Sequence, residues 1–377
     1  MNPMTVSRRS ILAMGAGAAM LPGARALAST LAQRHGRHAR TAHPLVLGHR
    51  GACAHRPEHT QASYQRAVAD GADFIEPDLV PTRDGVLVSR HEPNIVDTTD
   101  VAAHPEFAAR KTTKVIDGER QEGWFVEDFT LAELKTLRAK ERLGTLRPES
   151  MAFDGQFPVL TFDEIVAFAA KAARGRQRPL GIIPEIKHSS YFHSLGHDME
   201  AKLLAAIRAH AWLQQAPVIV QSFEVANLKR LRGMLAPWRN IALMQLADEP
   251  DKRTGDAIAS GGTLTYGAML SASGLDDVAG YADWIAPWSR TLMPETADGH
   301  LAPPQPIIAD AHRAGLLVGA YTFRPEPQFL PASLRQCGTA LRCESGSVAE
   351  IRAYLAAGLD GFFTDDPALG RRAVDGA

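Results

Sequence analysis

Short, largely apolar, strand-like runs recur along the chain at residues 45–48, 74–79, 180–186, 218–221, 241–246, 284–288, 316–321 and 361–363. Runs of this length read as strands buried on both faces. Between them, residues 60–69, 199–211, 225–234, 306–314 and 348–357 space their apolar positions as amphipathic helices do. Strands alternating with helices predict parallel βα units. About eight such strands predict an α/β fold of the TIM (β/α)8 barrel type. The other arrangement, an open doubly wound sheet, is disfavoured because no Gly-rich dinucleotide fingerprint follows any strand.

Two segments depart from the alternation. Residues 86–90 are strand-like, but only six residues separate them from Leu79. A parallel crossover needs a dozen or more. Asp84-Gly85 is a hairpin signal, so this segment should fold back antiparallel and return His91 toward Glu76 and Asp78. Residues 93–158 then hold scattered Gly and Pro, a charged stretch at 111–122 and an amphipathic one at 130–140. Thr130 with Glu133 is a capping-box pair for a helix over that last stretch. The whole reads as a capping insertion after the second strand.

The N-terminus has a different grammar. Ser7-Arg8-Arg9-Ser10-Ile11-Leu12, an apolar run to Leu21 and Ala26-Leu27-Ala28 give the layout of a twin-arginine export signal over residues 1–28. The run is too short to span a bilayer comfortably. Cleavage would start the mature chain at Ser29, with a flexible basic arm to residue 43, a barrel over 44–372 and no stable membrane insertion. The expected location is the periplasm or the medium.

The 377 residues are 45% hydrophobic and 22% charged, with a formal net charge of -1. This is ordinary globular composition, and so balanced a charge argues against a nucleic-acid partner. Cys337 and Cys343 lie close in sequence, so an oxidising compartment would permit a disulfide; Cys53 is left over.

The chemistry clusters at the ends of the apolar runs. Glu76 and Asp78 are two apart on a strand and project to one side. If that side is the barrel interior, the two anions converge, and a hard divalent cation resolves the conflict. Pro184-Glu185-Ile186-Lys187 repeats the spacing, adding a third carboxylate and a point charge for an anionic substrate. His49 and His91 are acid/base candidates, since imidazole titrates near neutrality. Arg50 offers a fork that matches phosphate oxygens. Gln221-Ser222-Phe223 and Tyr321-Thr322-Phe323 also end runs and can line a pocket.

Taken jointly, these motifs are specific. His49-Arg50-Gly51-Ala52, Pro57-Glu58-His59-Thr60, Gly71 to Asp78, Thr82-Arg83-Asp84-Gly85, His91, Pro184 to Lys187, Gln221-Ser222-Phe223 and Thr364-Asp365-Asp366-Pro367 occur in this order. The set resembles the glycerophosphodiester phosphodiesterase family, most of all its periplasmic bacterial branch. The resemblance implies hydrolysis of glycerophosphodiesters to sn-glycerol 3-phosphate and an alcohol. It implies Glu76, Asp78 and Glu185 as ligands of Ca²⁺ or Mg²⁺, and His49 and His91 as the acid/base pair. Arg50 and Lys187 would hold the phosphate, Glu58 and Tyr321 would contact the pocket or the glycerol, and Gln221 and Phe223 would line it.

Two positions depart from the family's pattern: Glu92 stands where Asp is usual, and Pro77 separates two ligands. The competing expectations are a phospholipase D-like relative (a sphingomyelinase D or lysophospholipase D) and a phosphodiester-binding protein without turnover.

Overall fold

The computed structural model describes residues 43–376. The expected export signal and all but the last residue of the arm lie outside them. Thirteen strands are formed among the described residues: β1 (Leu45–Gly48), β2 (Phe74–Ile75), β3 (Asp78–Pro81), β4 (Leu87–Ser89), β5 (Thr112–Ile116), β6 (Glu119–Gly123), β7 (Gly181–Ile182), β8 (Glu185–Ile186), β9 (Val218–Ser222), β10 (Ile241–Ala247), β11 (Trp284–Pro287), β12 (Leu317–Val318) and β13 (Gly361–Thr364).

Eight staves make the barrel, as the alternation predicts. Parallel pairing runs β12-β11-β10-β9-β7-β2-β1-β13. The ring closes where Asp360 N donates to Val318 O at 2.9 Å and Phe363 N to Ala320 O at 2.9 Å. Two staves are each split, β2 from β3 and β7 from β8, with Pro77 and Pro184 in the breaks. Proline has no N–H to give the ladder. Its carbonyl still serves: Glu185 N donates to Pro77 O and Gln221 N to Pro184 O. Pro77 therefore interrupts the stave without unzipping it.

Alternation along the staves sorts the apolar side chains into two cores. Leu45, Leu47, Phe74, Ile183, Ile219, Ala242, Met244, Leu246, Leu317 and Phe363 fill the barrel interior. Val46, Ile75, Ile182, Val218, Val220, Ile241, Leu243, Val318 and Phe362 pack outward under the helices. The helices fall where expected: Gln61–Ala69, Met199–Ala209, Val225–Met234, Ile307–Ala314 and Glu344–Ala357. No helix among the described residues is long and apolar enough to cross a membrane.

The Asp84-Gly85 turn folds β4 back antiparallel on β3, with Leu79 opposite Ser89. Residues 93–158 differ in detail from expectation. The charged stretch forms an antiparallel hairpin, β5 with β6, turning at Asp117-Gly118 with φ of 49° and 84°. Of the helix expected over 130–140, only Leu131–Leu134 forms, with its capping box intact. Beyond it, Arg138 and Ala139 make isolated β-bridges instead, to Pro158 and Thr99. All three cysteines are free thiols, so the disulfide open to Cys337 and Cys343 is not formed here.

One glycine sets the start of the site. Gly51 has φ of 93°, and a Cβ there would stand 2.4 Å from Ser63 Oγ. Gly51→Ala should therefore cost about 2–4 kcal/mol through strain and overpacking, read as a fall in ΔG of urea unfolding. An unchanged midpoint would show that the turn relaxes freely.

Candidate active site

Inward alternation continues past the apolar layer into polar residues at the carboxyl ends of the staves. In β1, Leu45 and Leu47 are followed by His49. In β2 and β3, Phe74 is followed by Glu76 and Asp78; in β7 and β8, Ile183 by Glu185 and Lys187; in β9, Ile219 by Gln221 and Phe223. All of these except the half-buried Phe223 are buried. They surround a cavity of about 200 Å³ lined by His49, Arg50, Glu76, His91, Glu185, Lys187, Gln221, Phe223 and Tyr321, with Leu246, Thr322, Arg324 and Phe363. His91, Glu185, Lys187, Phe223 and Tyr321 also border a second chamber of about 680 Å³, whose charged lining includes Asp117 at the β5–β6 turn, Glu119 of β6, Glu224 and residues 248 and 251–253.

Glu76, Asp78 and Glu185 each offer a carboxylate oxygen within 4.8 Å of the others. Such crowding pushes protons on. Glu76 is held well above the usual carboxylate range, by burial first and then by Asp78 and Glu185. Glu185 is pushed up to about 8, again chiefly by burial. Asp78 goes the other way: burial is outweighed by Lys187 and His59. Lys187 Nζ stands 2.7 Å from Glu185 Oε1 and 3.3 Å from Asp78 Oδ1. Neither oxygen accepts a hydrogen bond in good geometry, although both are buried. Three hard carboxylate donors, two of them with an orphaned buried oxygen, fit a divalent cation such as Mg²⁺ or Ca²⁺.

Two of these carboxylates, Glu76 and Asp78, are also held from behind. Arg50, in the left-handed region with φ of 55°, donates its backbone N–H to Glu76 Oε2 at 2.7 Å. Gln221 Nε2 donates to Glu76 Oε1 at 3.1 Å. His59 bridges Tyr64 and Asp78, with its Nε2 2.9 Å from Asp78 Oδ2. An ionised Asp78 can only accept, which would put the His59 proton on Nε2.

The two candidate acid/base histidines lie in the same cavity. The His49 imidazole is pushed down to about 4, by burial first and by Arg50 next. The His91 imidazole moves the same way for the same two causes, and one edge leaves 31% of its side chain exposed. Each Nδ1 rests on a carboxylate: His49 on Asp365 Oδ1 and His91 on Glu92 Oε1, both at 2.5 Å. Glu92 thus reaches the imidazole next to it despite its extra methylene.

Glu58 lines neither cavity. Its carboxylate accepts from Arg50 Nη1 at 3.0 Å and from Arg142 Nε and Nη2 at 2.6 Å each. It is placed to brace Arg50, not to meet a ligand. Tyr321 lines both cavities, but its hydroxyl donates to Ala247 O at 2.9 Å. Phe223 forms an edge-to-face pair with Tyr321 and sits under Lys187. Sequence reading singles out no role for His59, Arg142, Arg147 or Asp365. Asp365 had a usable signal: it continues the inward alternation of β13 two residues past Phe363.

A buried carboxylate trio beside two histidines, an arginine and a lysine, at the carboxyl mouth of a TIM barrel, defines a phosphodiester-cleaving class of site. The chain belongs to the glycerophosphoryl diester phosphodiesterase family, whose model matches residues 49–369. It is 35% identical to glycerophosphodiester phosphodiesterase GDPD6 of Arabidopsis thaliana over 340 residues, 86% of this chain and 84% of that one. It is 27% identical to a glycerophosphodiester phosphodiesterase of Haemophilus influenzae, covering 86% and 88%. In fold it is similar to an Oleispira antarctica phosphodiesterase solved with the product sn-glycerol-3-phosphate (TM-score 0.57, 19% identity, 88% and 97% covered).

The raised carboxyls have a thermodynamic consequence. A carboxyl that keeps its proton in the folded state, while the unfolded chain has released it, loses stability for the fold as pH rises. For Glu185 that loss runs from the ordinary carboxylate range up to about 8. A bound cation would remove it by favouring the ionised form. Saturating Mg²⁺ or Ca²⁺ should therefore raise Tm more at pH 8 than at pH 6 in a calorimetric scan. An equal rise at both would count against these carboxylates as the ligands.

Proposed function

We propose that this chain is a metal-dependent glycerophosphodiester phosphodiesterase that releases sn-glycerol 3-phosphate and an alcohol, with His49 and His91 as its acid/base pair. The carrying observation is that Glu76 and Glu185 of the buried trio line one cavity with both histidines, Arg50 and Lys187, with Asp78 close beside the two carboxylates. Membership of the family supports the substrate class. Residues 93–158 serve as the cap: Asp117 at the hairpin tip reaches His188 at 2.6 Å, and Arg142 and Arg147 reach the site.

The cation held by the trio would supply Lewis-acid charge at the phosphate and anchor the glycerol hydroxyls. The remaining steps belong to the chain's own groups. Arg50 and Lys187 neutralise the phosphodiester anion. An imidazole that is neutral in the free site accepts the proton of the neighbouring glycerol hydroxyl as that oxygen attacks phosphorus. An imidazole next to the bound anion is favoured in its charged form, and it protonates the departing alcohol. Water then opens the cyclic phosphate with the roles reversed.

The alcohol leaves through the larger chamber, which is bordered by Asp117, Glu119, Glu224, Asp248, Asp251, Lys252 and Arg253. Those charges suit a water-soluble headgroup, although Phe223, Tyr266 and Tyr321 with Ile116, Ile186 and Ile258 make much of the remaining wall apolar. We also infer export by the twin-arginine route to the periplasm, from Arg8-Arg9 and Ala26-Leu27-Ala28. Replacing both arginines with lysine should retain the chain in the cytoplasm on fractionation.

Glycerophosphocholine, glycerophosphoethanolamine and glycerophosphoglycerol should each yield sn-glycerol 3-phosphate in Mg²⁺ or Ca²⁺ and none in EDTA. Release of product in EDTA would overturn the metal dependence, and no product with any metal would overturn the enzyme reading. His49→Ala and His91→Ala should each lower kcat by about 10²–10⁴ with the fold intact; near-native rates would remove the role. Glu76→Gln should weaken the cation in a calorimetric titration, and unchanged affinity would remove Glu76 from the ligand set.

A further inference from the structure

Both histidines are held by a carboxylate, and each carboxylate is gripped by an arginine from one short stretch of residues 93–158. Arg147, only 5% exposed, donates from Nη2 to Asp365 Oδ2 at 2.5 Å. Asp365 in turn accepts from His49 Nδ1. Five residues earlier, Arg142 donates from Nη1 and Nη2 to Glu92 at 2.8 and 2.7 Å, and Glu92 accepts from His91 Nδ1. We propose that Arg147 and Arg142 are positioning residues for the reaction, fixing through Asp365 and Glu92 the ring orientation and tautomer of His49 and His91. This rests on the histidine roles given above.

The geometry favours orientation over mere packing. An ionised carboxylate only accepts, so each bonded Nδ1 carries the proton and each Nε2 is left free to exchange one with the substrate. A carboxylate with one oxygen on the ring and the other on a guanidinium cannot rotate. Arg147 is itself fixed: Nε donates to Glu326 Oε1 at 2.7 Å, Nη2 to Glu326 Oε2 at 3.2 Å and Nη1 to Cys53 O at 3.0 Å. His49, Cys53 and Asp365 could by spacing alone share a metal ion. The Arg147 guanidinium, 3.4 Å from Cys53 Sγ, puts a fixed cation there instead. Arg142 has a second task, since it also grips Glu58 behind Arg50. The His49 arm is therefore the cleaner one to test.

Three readouts test it. In the resting protein, nitrogen NMR of the His49 ring should show Nδ1 protonated, and Asp365→Asn should mix the tautomers. A wild-type ring protonated on Nε2 overturns the proposal, and this readout needs no turnover. In steady-state kinetics Arg147→Gln should lower kcat about 10–100-fold, with KM and calorimetric metal affinity within about threefold. Arg147→Lys should recover part of the loss.

In the background of His49→Ala the Arg147→Gln loss should vanish, because groups acting as a unit are not additive. A loss that persists at full size there, or one that tracks metal affinity, overturns the proposal. If Arg147→Gln does not fold, the near-isosteric Asp365→Asn carries the same test, with a larger expected loss of about 10²–10⁴ in kcat; a wild-type kcat in that variant overturns it. For the His91 arm, Glu92→Gln should lower kcat with KM held, and Glu92→Asp, which keeps the charge on a shorter arm, should recover part of the loss. A wild-type ring with the expected tautomer in a chain that forms no sn-glycerol 3-phosphate would fail the functional reading alone.

Discussion

Three carboxylates brought within 4.8 Å of one another, out of water, set the terms for everything around them. Removing a single carboxylate from water costs several kcal/mol even after relaxation, and neighbours of the same sign add to that. The surrounding residues respond in kind. Arg50 and Gln221 hydrogen-bond Glu76, His59 and Lys187 approach Asp78, and Lys187 also meets Glu185. Those contacts leave buried oxygens on Asp78 and Glu185 beside Lys187 but without a hydrogen bond of good geometry. An apolar barrel with continuous inner and outer cores tolerates this because its stability comes from elsewhere. The site sits on the rim of that rigid layer and not in loops alone.

Much of this architecture could be read from residues. The parity that puts Leu45 and Leu47 inside also puts His49 inside, and the same rule carries Phe74 to Glu76 and Ile183 to Glu185. Chain stiffness at period two explains why these inferences work: side-chain direction is dictated locally. The return of His91 follows from loop length and Asp84-Gly85, again a local argument. Asp117-Gly118 has the same chemistry, but its flanking strands are polar and exposed, so no apolar run draws attention to them.

What sequence reading missed is non-local. Asp365 meets His49 across 316 residues, and Arg147 meets Asp365 across 218, only because the barrel closes β13 against β1. Nothing in the spacing of Arg142 or Arg147 marks them, since arginine on a loop is ordinarily solvated. Glu58 shows the converse. Its motif suggested a ligand contact, yet two guanidinium groups competing for one carboxylate leave it no free face. Burial turns such competition into structure, because a carboxylate inside protein stays with its nearest cations.

The charges accordingly form two tiers with different work. Those of the inner tier, Glu76, Asp78, Glu185, Arg50 and Lys187, face the cavity or crowd around its floor. They are imperfectly matched to one another, and a cation and an anionic ester would complete them. Those of the outer tier, Asp365, Glu92, Glu58 and Glu326 with Arg142 and Arg147, are matched among themselves through short, charge-assisted bonds. The imidazoles of His49 and His91 lie between the tiers, tied outward by Nδ1. Rigidity behind and unmet charge in front is what preorganised electrostatic catalysis requires. On this view Glu92 is a member of the outer tier, its longer side chain spanning from the adjacent imidazole to Arg142. Pro77 serves the inner one, breaking the stave between Glu76 and Asp78 while its carbonyl still accepts from Glu185 N.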